Sequence, residues 1–284
     1  MLKRTLTGAL YCAVIVGFFL VRQYVDTKLF NVLIGIFAII GCYEVGKMVK
    51  KFAIEKITLI ATLYGLLFTV SYFLFQYFIF KGKGSTYCLI LTAIAIMGVA
   101  VYGILKKAPL NKILVSLLPL VYPTTLLLFM FMMNDINNFG FMALVLLFVI
   151  SPCTDVMAYL GGMAYNKIRK GKAKKLAPHL SPKKTVAGAL FGLIGGALGG
   201  LIVYYLVGSP ANIQVKFFSQ EVMFLLIGAI CSVLTQVGDL FESYIKRQAG
   251  VKDSGKLLPG HGGILDRIDG TMFTAVFIYF LFTL

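Results

Sequence analysis

An all-α, polytopic membrane helix bundle is the fold class this sequence predicts, and three observations carry it. Hydrophobic residues make up 59% of the 284 and charged residues only 13%, against about 25% charged in an ordinary soluble domain. The apolar residues gather into blocks long enough to cross a bilayer, which takes roughly 20 helical residues each. The basic residues are dense in every second connection and sparse in the others, as the positive-inside rule requires.

Nine blocks predict about nine transmembrane helices, at about 8–21, 29–46, 57–80, 86–104, 113–133, 139–163, 187–208, 221–245 and 270–284. The first follows Met1-Leu-Lys-Arg without a small-residue cleavage site after it, and so reads as a span rather than a cleaved signal. Cys12, Cys42, Cys88, Cys153 and Cys231 all lie in or beside apolar blocks. Their spacing fits neither a disulfide framework nor a metal site, so they are expected to pack as small hydrophobes.

A net charge of +16 invites a nucleic-acid partner, but its distribution argues otherwise. With a cytoplasmic N-terminus, only Arg22, Lys28, Lys81, Lys83 and Lys216 fall outside, leaving 22 of the 27 Lys and Arg inside. The basic excess is therefore topological, with attraction to anionic lipid as its by-product, and the bilayer is the expected partner rather than nucleic acid.

The two parts of the chain differ in character. Residues 1–133 alternate spans with short connections and read as a scaffold or dimer surface. Glu44 sits three residues before Lys47 near the end of a span, which predicts a snorkelling pair. Residues 134–284 read as the catalytic region, because polar and turn-forming residues collect at about 164–186 and 246–269. Both segments face the cytoplasm in the assigned topology, which predicts one cytoplasm-facing polar site. Gly188, Gly192, Gly196 and Gly200 recur every four residues in an apolar helix, so they predict close helix packing rather than a phosphate loop.

The stretch from Ser243 to Asp269 holds most of the chemistry. Asp266 and Asp269 share a helical face if the last helix begins near Leu265. Asp239 lies inside the preceding span, where an acid is costly unless paired or useful. Three carboxylates without a thiol suit a hard cation such as Mg²⁺, which takes one or two carboxylates, waters and phosphate oxygens. Lys246, Arg247, Lys252, Lys256 and Arg267 suit polyphosphate charge, with Asp253 among them. Gly260, Gly262 and Gly263 allow backbone N–H groups to turn toward a ligand. These are the parts of a metal-assisted phosphoryl or nucleotidyl transfer site. Separately, each part has a plainer explanation. The helix dipole favours Asp at a helix start, basic loops belong on the cytoplasmic side, and His261 is equally suited to stabilising its own turn.

The other polar segment ends in Ser181-Pro-Lys-Lys-Thr185. Ser followed by Pro predicts a helix start at this point. Lys183 and Lys184 would then stand at a helix N-terminus, where phosphate is attracted. Asp155 and Tyr159, on one face of the sixth span, repeat the intramembrane-acid argument more weakly.

These residues resemble the signature of the phosphatidate cytidylyltransferases (CDP-diacylglycerol synthases). Ser243, Lys246-Arg247, Lys252-Asp253, Gly255, Leu258-Pro259, His261-Gly262-Gly263 and Asp266-Arg267-Ile268-Asp269 fall in its order. The Ser181–Thr185 motif and the Asp155–Tyr159 segment are also similar to family features. One departure is Ala187, where the family often carries a glutamate.

The resemblance implies a reaction in which CTP and phosphatidic acid give CDP-diacylglycerol and pyrophosphate. It implies Asp239, Asp266 and Asp269 as Mg²⁺ ligands, with K⁺ as a second cation. It further implies roles in catalysis for Lys246, Arg247 and His261. Substrate binding would fall to Ser181, Lys183, Lys184, Thr185, Lys252, Asp253, Lys256, Gly262, Gly263, Arg267, Asp155 and Tyr159. A homodimer in the inner (plasma) membrane, its site facing the cytoplasm, is implied as well.

Two rivals remain at this point. One is a CTP-dependent transferase acting on another lipid phosphate. The other is an ion-coupled transporter, against which stand the lack of an internal repeat and the clustering of polar groups at one surface.

Overall fold

The computed structural model describes residues 2–136, 139–208 and 219–283. Among these, nine α-helices account for nearly all the regular structure, as an all-α membrane bundle requires. They are α1 (Leu2–Tyr24), α2 (Lys28–Val49), α3 (Ile57–Phe73), α4 (Gly84–Leu105), α5 (Leu110–Asn134), α6 (Gly140–Ile168), α7 (Val186–Val207), α8 (Gln220–Gln248) and α9 (Leu265–Thr283). A π-helical turn, Leu74–Phe78, continues α3. The eight helices α1–α8 each contain a stretch long and apolar enough to cross a membrane. The ninth carries Asp266 and Asp269 in its first turns. Lys216 lies outside the described residues.

One correction concerns Ser181–Thr185. It forms a β-strand, β2, paired antiparallel with β1 (Lys175–Ala177), with Lys175 opposite Thr185 and Ala177 opposite Ser181. The helix start is displaced to Val186, and Thr185 is its cap, its Oγ1 accepting from Gly188 N at 3.0 Å. Ser-Pro and Thr are both competent openings; the pairing with Lys175–Ala177 holds 181–185 extended and leaves the cap to Thr185. Lys183 and Lys184 are thus strand residues.

The chain forms two compact units. The first comprises Met1–Asp135 with Lys246–Arg267, and the second Ile136–Ile245 with Ile268–Leu284. This grouping differs from a linear division at 133/134, because the polar turn packs with α1–α5.

In the first unit, α2 packs on α3 and α5, and its Phe30, Ile34, Ala38 and Cys42 are fully buried. Near the start of α2, Asn31 donates to Asp135 at 3.1 Å, and Asp135 also accepts from Tyr72 at 2.6 Å and Tyr77 at 2.7 Å. Burial pushes the Asp135 carboxyl above the usual range, while these donors pull against it. The buried Arg22 donates to the Asn134 side chain at 2.7 Å, tying α1 to α5.

In the second unit, α7 is built to be approached. A Cβ at Gly188 would sit 2.8 Å from the Ala158 carbonyl, and one at Gly199 would sit 3.3 Å from Ile150 Cα, both on α6. Gly196 and Gly200 face α8 instead, where Gly228 comes equally close. The glycine spacing therefore serves two neighbours rather than one face. Helices α8 and α9 meet through Gly238 and Gly270, whose Cα atom would lie 3.0 Å from a Cβ at 238.

Candidate active site

Within the first unit the polar turn is a tightly bonded structure. Helix α8 ends in a Schellman cap. Gly250 has φ +70°, its N–H bonds the Arg247 carbonyl at 3.1 Å, and Val251 N–H bonds the Lys246 carbonyl at 2.9 Å. The Pro-Gly-His segment closes on itself, with Leu258 N–H to the Gly262 carbonyl and His261 N–H to the Leu258 carbonyl, both 2.9 Å. Gly260 and Gly262 have φ of +82° and +87°, a region only glycine enters without strain. Thr7 of α1 donates to the Pro259 carbonyl at 3.1 Å, and His261 lies against Gly8.

Asp266 is the hub of this turn. Its Oδ1 accepts from Lys246 Nζ at 2.6 Å, and its Oδ2 from Ser254 N at 2.9 Å, Ser254 Oγ at 2.8 Å and Gly263 N at 2.8 Å. The two charged side chains are only 11% and 7% exposed. Burial alone would push the Asp266 carboxyl up. The Lys246 ammonium and the donors around it win, and hold it below the usual carboxylate range.

A cavity of about 470 Å³ opens beside the turn, lined by Lys252, Asp253, Lys256, His261, Gly262 and Arg267 with Gly255, Leu258, Pro259 and Gly260. Lys252, Lys256 and Arg267 are exposed cations, and an anion entering here meets them together. Arg247, exposed, donates to the Val251 carbonyl at 3.2 Å and does not line this cavity.

Glu44 escaped sequence reasoning as a residue of this site, and its predicted pairing is corrected. It is 2% exposed and does not snorkel with Lys47; Lys47 reaches Tyr43, at 3.3 Å from its hydroxyl. Glu44 instead accepts from Ile264 N at 3.1 Å, Leu265 N at 2.9 Å and Ser254 Oγ at 3.2 Å. Those partners are more than 200 positions away in the chain, so local spacing could not reveal them.

The second unit holds a cavity of about 450 Å³. Asp155, Tyr159, Lys183, Lys184, Thr185 and Asp239 all line it, joined by Lys175 and Gln236, which sequence reasoning did not single out. Lys175 comes with the β1–β2 pairing, a signal hidden in a short Lys-rich run. Lys184 Nζ makes an ion pair with Asp239 Oδ2, each side chain 29% exposed. Ser243, one turn along α8, donates to Asp239 Oδ1 at 3.3 Å. The rest of the wall is apolar, including Ala158, Met163, Leu176 and Ala189. Ser181, at the far end of β2, is not part of it. Asp269 lies one turn into α9, its Oδ1 accepting from Gly270 N at 2.7 Å.

The donor chemistry suits a hard cation, since Asp239, Asp266 and Asp269 offer only carboxylate oxygens. The assembly is less complete. Among the described residues no group of three His, Cys, Asp or Glu is gathered closely enough to hold a metal ion. Lysine ammonium groups stand against Asp239 and Asp266 in the manner of a cation.

A phosphatidate cytidylyltransferase of Brucella abortus is 43% identical over 141 residues, covering 50% of this chain and 47% of that protein. One of Rickettsia conorii is 35% identical over 169 residues, covering 60% of this chain and 68% of that protein. The chain thus spans about half the length of the first relative and about two thirds of the second. The model of the family described as "Cytidylyltransferase family" matches residues 2–284, taking in α1–α5 as well as the polar turn; the chain belongs to that family.

Proposed function

We propose that this chain transfers the cytidylyl group of CTP to phosphatidic acid, giving CDP-diacylglycerol and pyrophosphate. The observation that carries the proposal is the Lys246–Arg267 turn, folded around Asp266 and fronted by Lys252, Lys256 and Arg267. Membership in the cytidylyltransferase family and relatives named phosphatidate cytidylyltransferase support it.

In this reaction a lipid phosphate oxygen attacks the α-phosphorus of CTP. A new P–O bond forms, and the bond from that phosphorus to the β-phosphate bridging oxygen breaks. The nucleophile is already anionic, so no strong general base is needed. The demand is to bring two polyanions together and to stabilise the leaving pyrophosphate. The cationic cavity of the first unit suits a triphosphate. The second-unit cavity, with Lys183 and Lys184 beside an apolar wall, suits a phosphate on an apolar body. His261, with its imidazole against α1, shapes the turn.

A divalent ion, Mg²⁺, belongs to the proposal, with Asp239, Asp266 and Asp269 as candidate ligands and K⁺ as a second cation. It would supply charge neutralisation at the phosphates. A homodimer and an inner-membrane location are part of the same reading, and so is a cytoplasm-facing site, which the basic inner connections support.

Purified protein in detergent, given CTP, phosphatidate and Mg²⁺, should release pyrophosphate in step with CDP-diacylglycerol. A panel of other lipid phosphates, ether-linked ones included, tests the substrate. No pyrophosphate with any of them would overturn the proposal.

A further inference from the structure

A carboxylate within a membrane helix is costly unless its oxygens are satisfied. Glu44 is such a group, 2% exposed near the end of α2. Its oxygens are engaged by three donors: Oε1 by Ile264 N, and Oε2 by Leu265 N and Ser254 Oγ, at 3.1, 2.9 and 3.2 Å. Two of these are N–H groups at the start of α9, donors that a helix cannot satisfy from within. An anion there also meets the positive end of the helix dipole. Glu44 is therefore the cap of α9, supplied by a helix remote in the chain.

The surrounding turn is cut to admit it. A Cβ at Gly255 or at Gly263 would fall on the Glu44 carboxylate. Both glycines have negative φ, so their missing side chains are explained by this close approach rather than by backbone conformation. The same short stretch holds Asp266. Gly263 N and Ser254 N donate to Asp266, while the next two amides, Ile264 and Leu265, donate to Glu44. The Ser254 hydroxyl has one proton and two acceptors, Asp266 at 2.8 Å and Glu44 at 3.2 Å. Moving Glu44 must move the peptide groups that aim Asp266.

We infer that Glu44 is a positioning residue for the transfer reaction, holding the α9 start so that Asp266 and the cationic cavity keep their working geometry. This deepens the proposed function and rests on it. It also gives the N-terminal helices a direct part in the site.

The test uses the full-length protein in detergent, comparing wild type with Glu44→Gln and Glu44→Asp. Hydrogen exchange is followed on peptides covering 254–269, beside kcat, KM and thermal unfolding. In Glu44→Gln the amide NH₂ faces N–H donors. The amides of Ile264 and Leu265 should exchange at least about tenfold faster. A displacement near 1 Å should lower kcat by about 30- to 100-fold, with KM for phosphatidate within about twofold. Glu44→Asp, charged but shorter, should recover part of both.

Wild-type kcat and exchange in Glu44→Gln would overturn the inference. So would faster exchange spread evenly over α2, α3 and α5, with activity lost only in proportion to folded protein. If the Glu44 variants do not fold, Ser254→Ala decides. It should show the same pattern at about three- to tenfold, and wild-type behaviour there would overturn the inference. A wild-type protein that makes no product with any lipid phosphate would sink the reaction, while exchange at 264 and 265 would still judge the clamp.

Discussion

Asp266 and Asp239, one in each unit, are both acids paired with lysine, yet they are held in opposite ways. Asp266 is sealed, with four donors on two oxygens and its lysine almost as buried as itself. Asp239 is open, with one lysine, one hydroxyl a turn away and 29% of its side chain exposed at a cavity wall. The first arrangement fixes geometry at a cost in desolvation that only a full set of partners offsets. The second leaves its lysine able to leave the acid for an arriving phosphate. One is a frame that does not move, the other a pair that can exchange partners.

The largest effect is expected where the sealed pair is broken. Asp266→Asn removes the charge paired at 2.6 Å with the buried Lys246 ammonium, which costs about 3–5 kcal/mol, and should lower transfer about a thousandfold. Thermal unfolding and pyrophosphate release check the two parts separately. Lys246→Met with Asp266→Leu removes both charges and should regain only part of the stability, because the Ser254 and Gly263 amides still lose their acceptor, and none of the activity. If Asp266→Asn keeps near wild-type activity, Asp266 is structural only and the contrast with Asp239 collapses.

Asp239→Asn should behave differently, and this sharpens the comparison. Its ion pair is reached by water, so its loss costs no more than about 1 kcal/mol. Transfer should still fall about a hundredfold, because the acid borders the cavity where the lipid phosphate is proposed to lie. A large drop in unfolding temperature would show that Asp239 is a frame residue like Asp266.

The same contrast explains what could be read from the sequence. The spans were legible because apolar run length is local, and each of the nine helices among the described residues falls on its expected block, although α1 begins already at Leu2 and α3 gives way to the π-helical turn at Leu74. Asp155, Tyr159, Lys184 and Asp239 were each suspect as intramembrane or motif residues, and the second-unit cavity gathers them. Glu44 was not legible. Three positions from Lys47, it satisfied a local rule, while its actual donors lie on a turn far along the chain. The strand at Ser181–Thr185 was hidden for a related reason: its pairing partner, Lys175–Ala177, shows no alternation of its own. Four-residue glycine spacing was visible, but the part played by Gly195 and Gly199 against α6 required the helices to be placed.

A smaller effect tests the helix packing behind the open pair. Gly200 and Gly228 let α7 and α8 touch, and a Cβ at 200 would fall on the Phe224 carbonyl. Gly200→Ala should cost about 1–3 kcal/mol through forced separation. Gly98→Ala on α4, where a Cβ meets nothing within 4 Å, should be near neutral. If Asp239 depends on that packing for its place, Gly200→Ala should also weaken transfer by more than its folded fraction explains. Equal loss in both readouts would mean that the Lys184–Asp239 pair tolerates a shifted α8.

The smallest effect belongs to the exposed cations of the first unit. Lys252 and Arg267 line the polar cavity without a buried partner, so Lys252→Ala and Arg267→Ala should leave the unfolding temperature unchanged within about a degree, as surface substitutions usually do. With CTP held there as proposed, their charge acts on an incoming polyanion, so KM for CTP should rise about three- to tenfold with kcat little altered. Added salt should raise the wild-type KM more than that of either variant, since screening removes an attraction the variants already lack. Were phosphatidate KM to rise instead, the polar cavity would be the lipid-phosphate side and the assignment of the two cavities would have to be exchanged. A fall in kcat with both KM values fixed would move these cations from substrate capture to the leaving pyrophosphate.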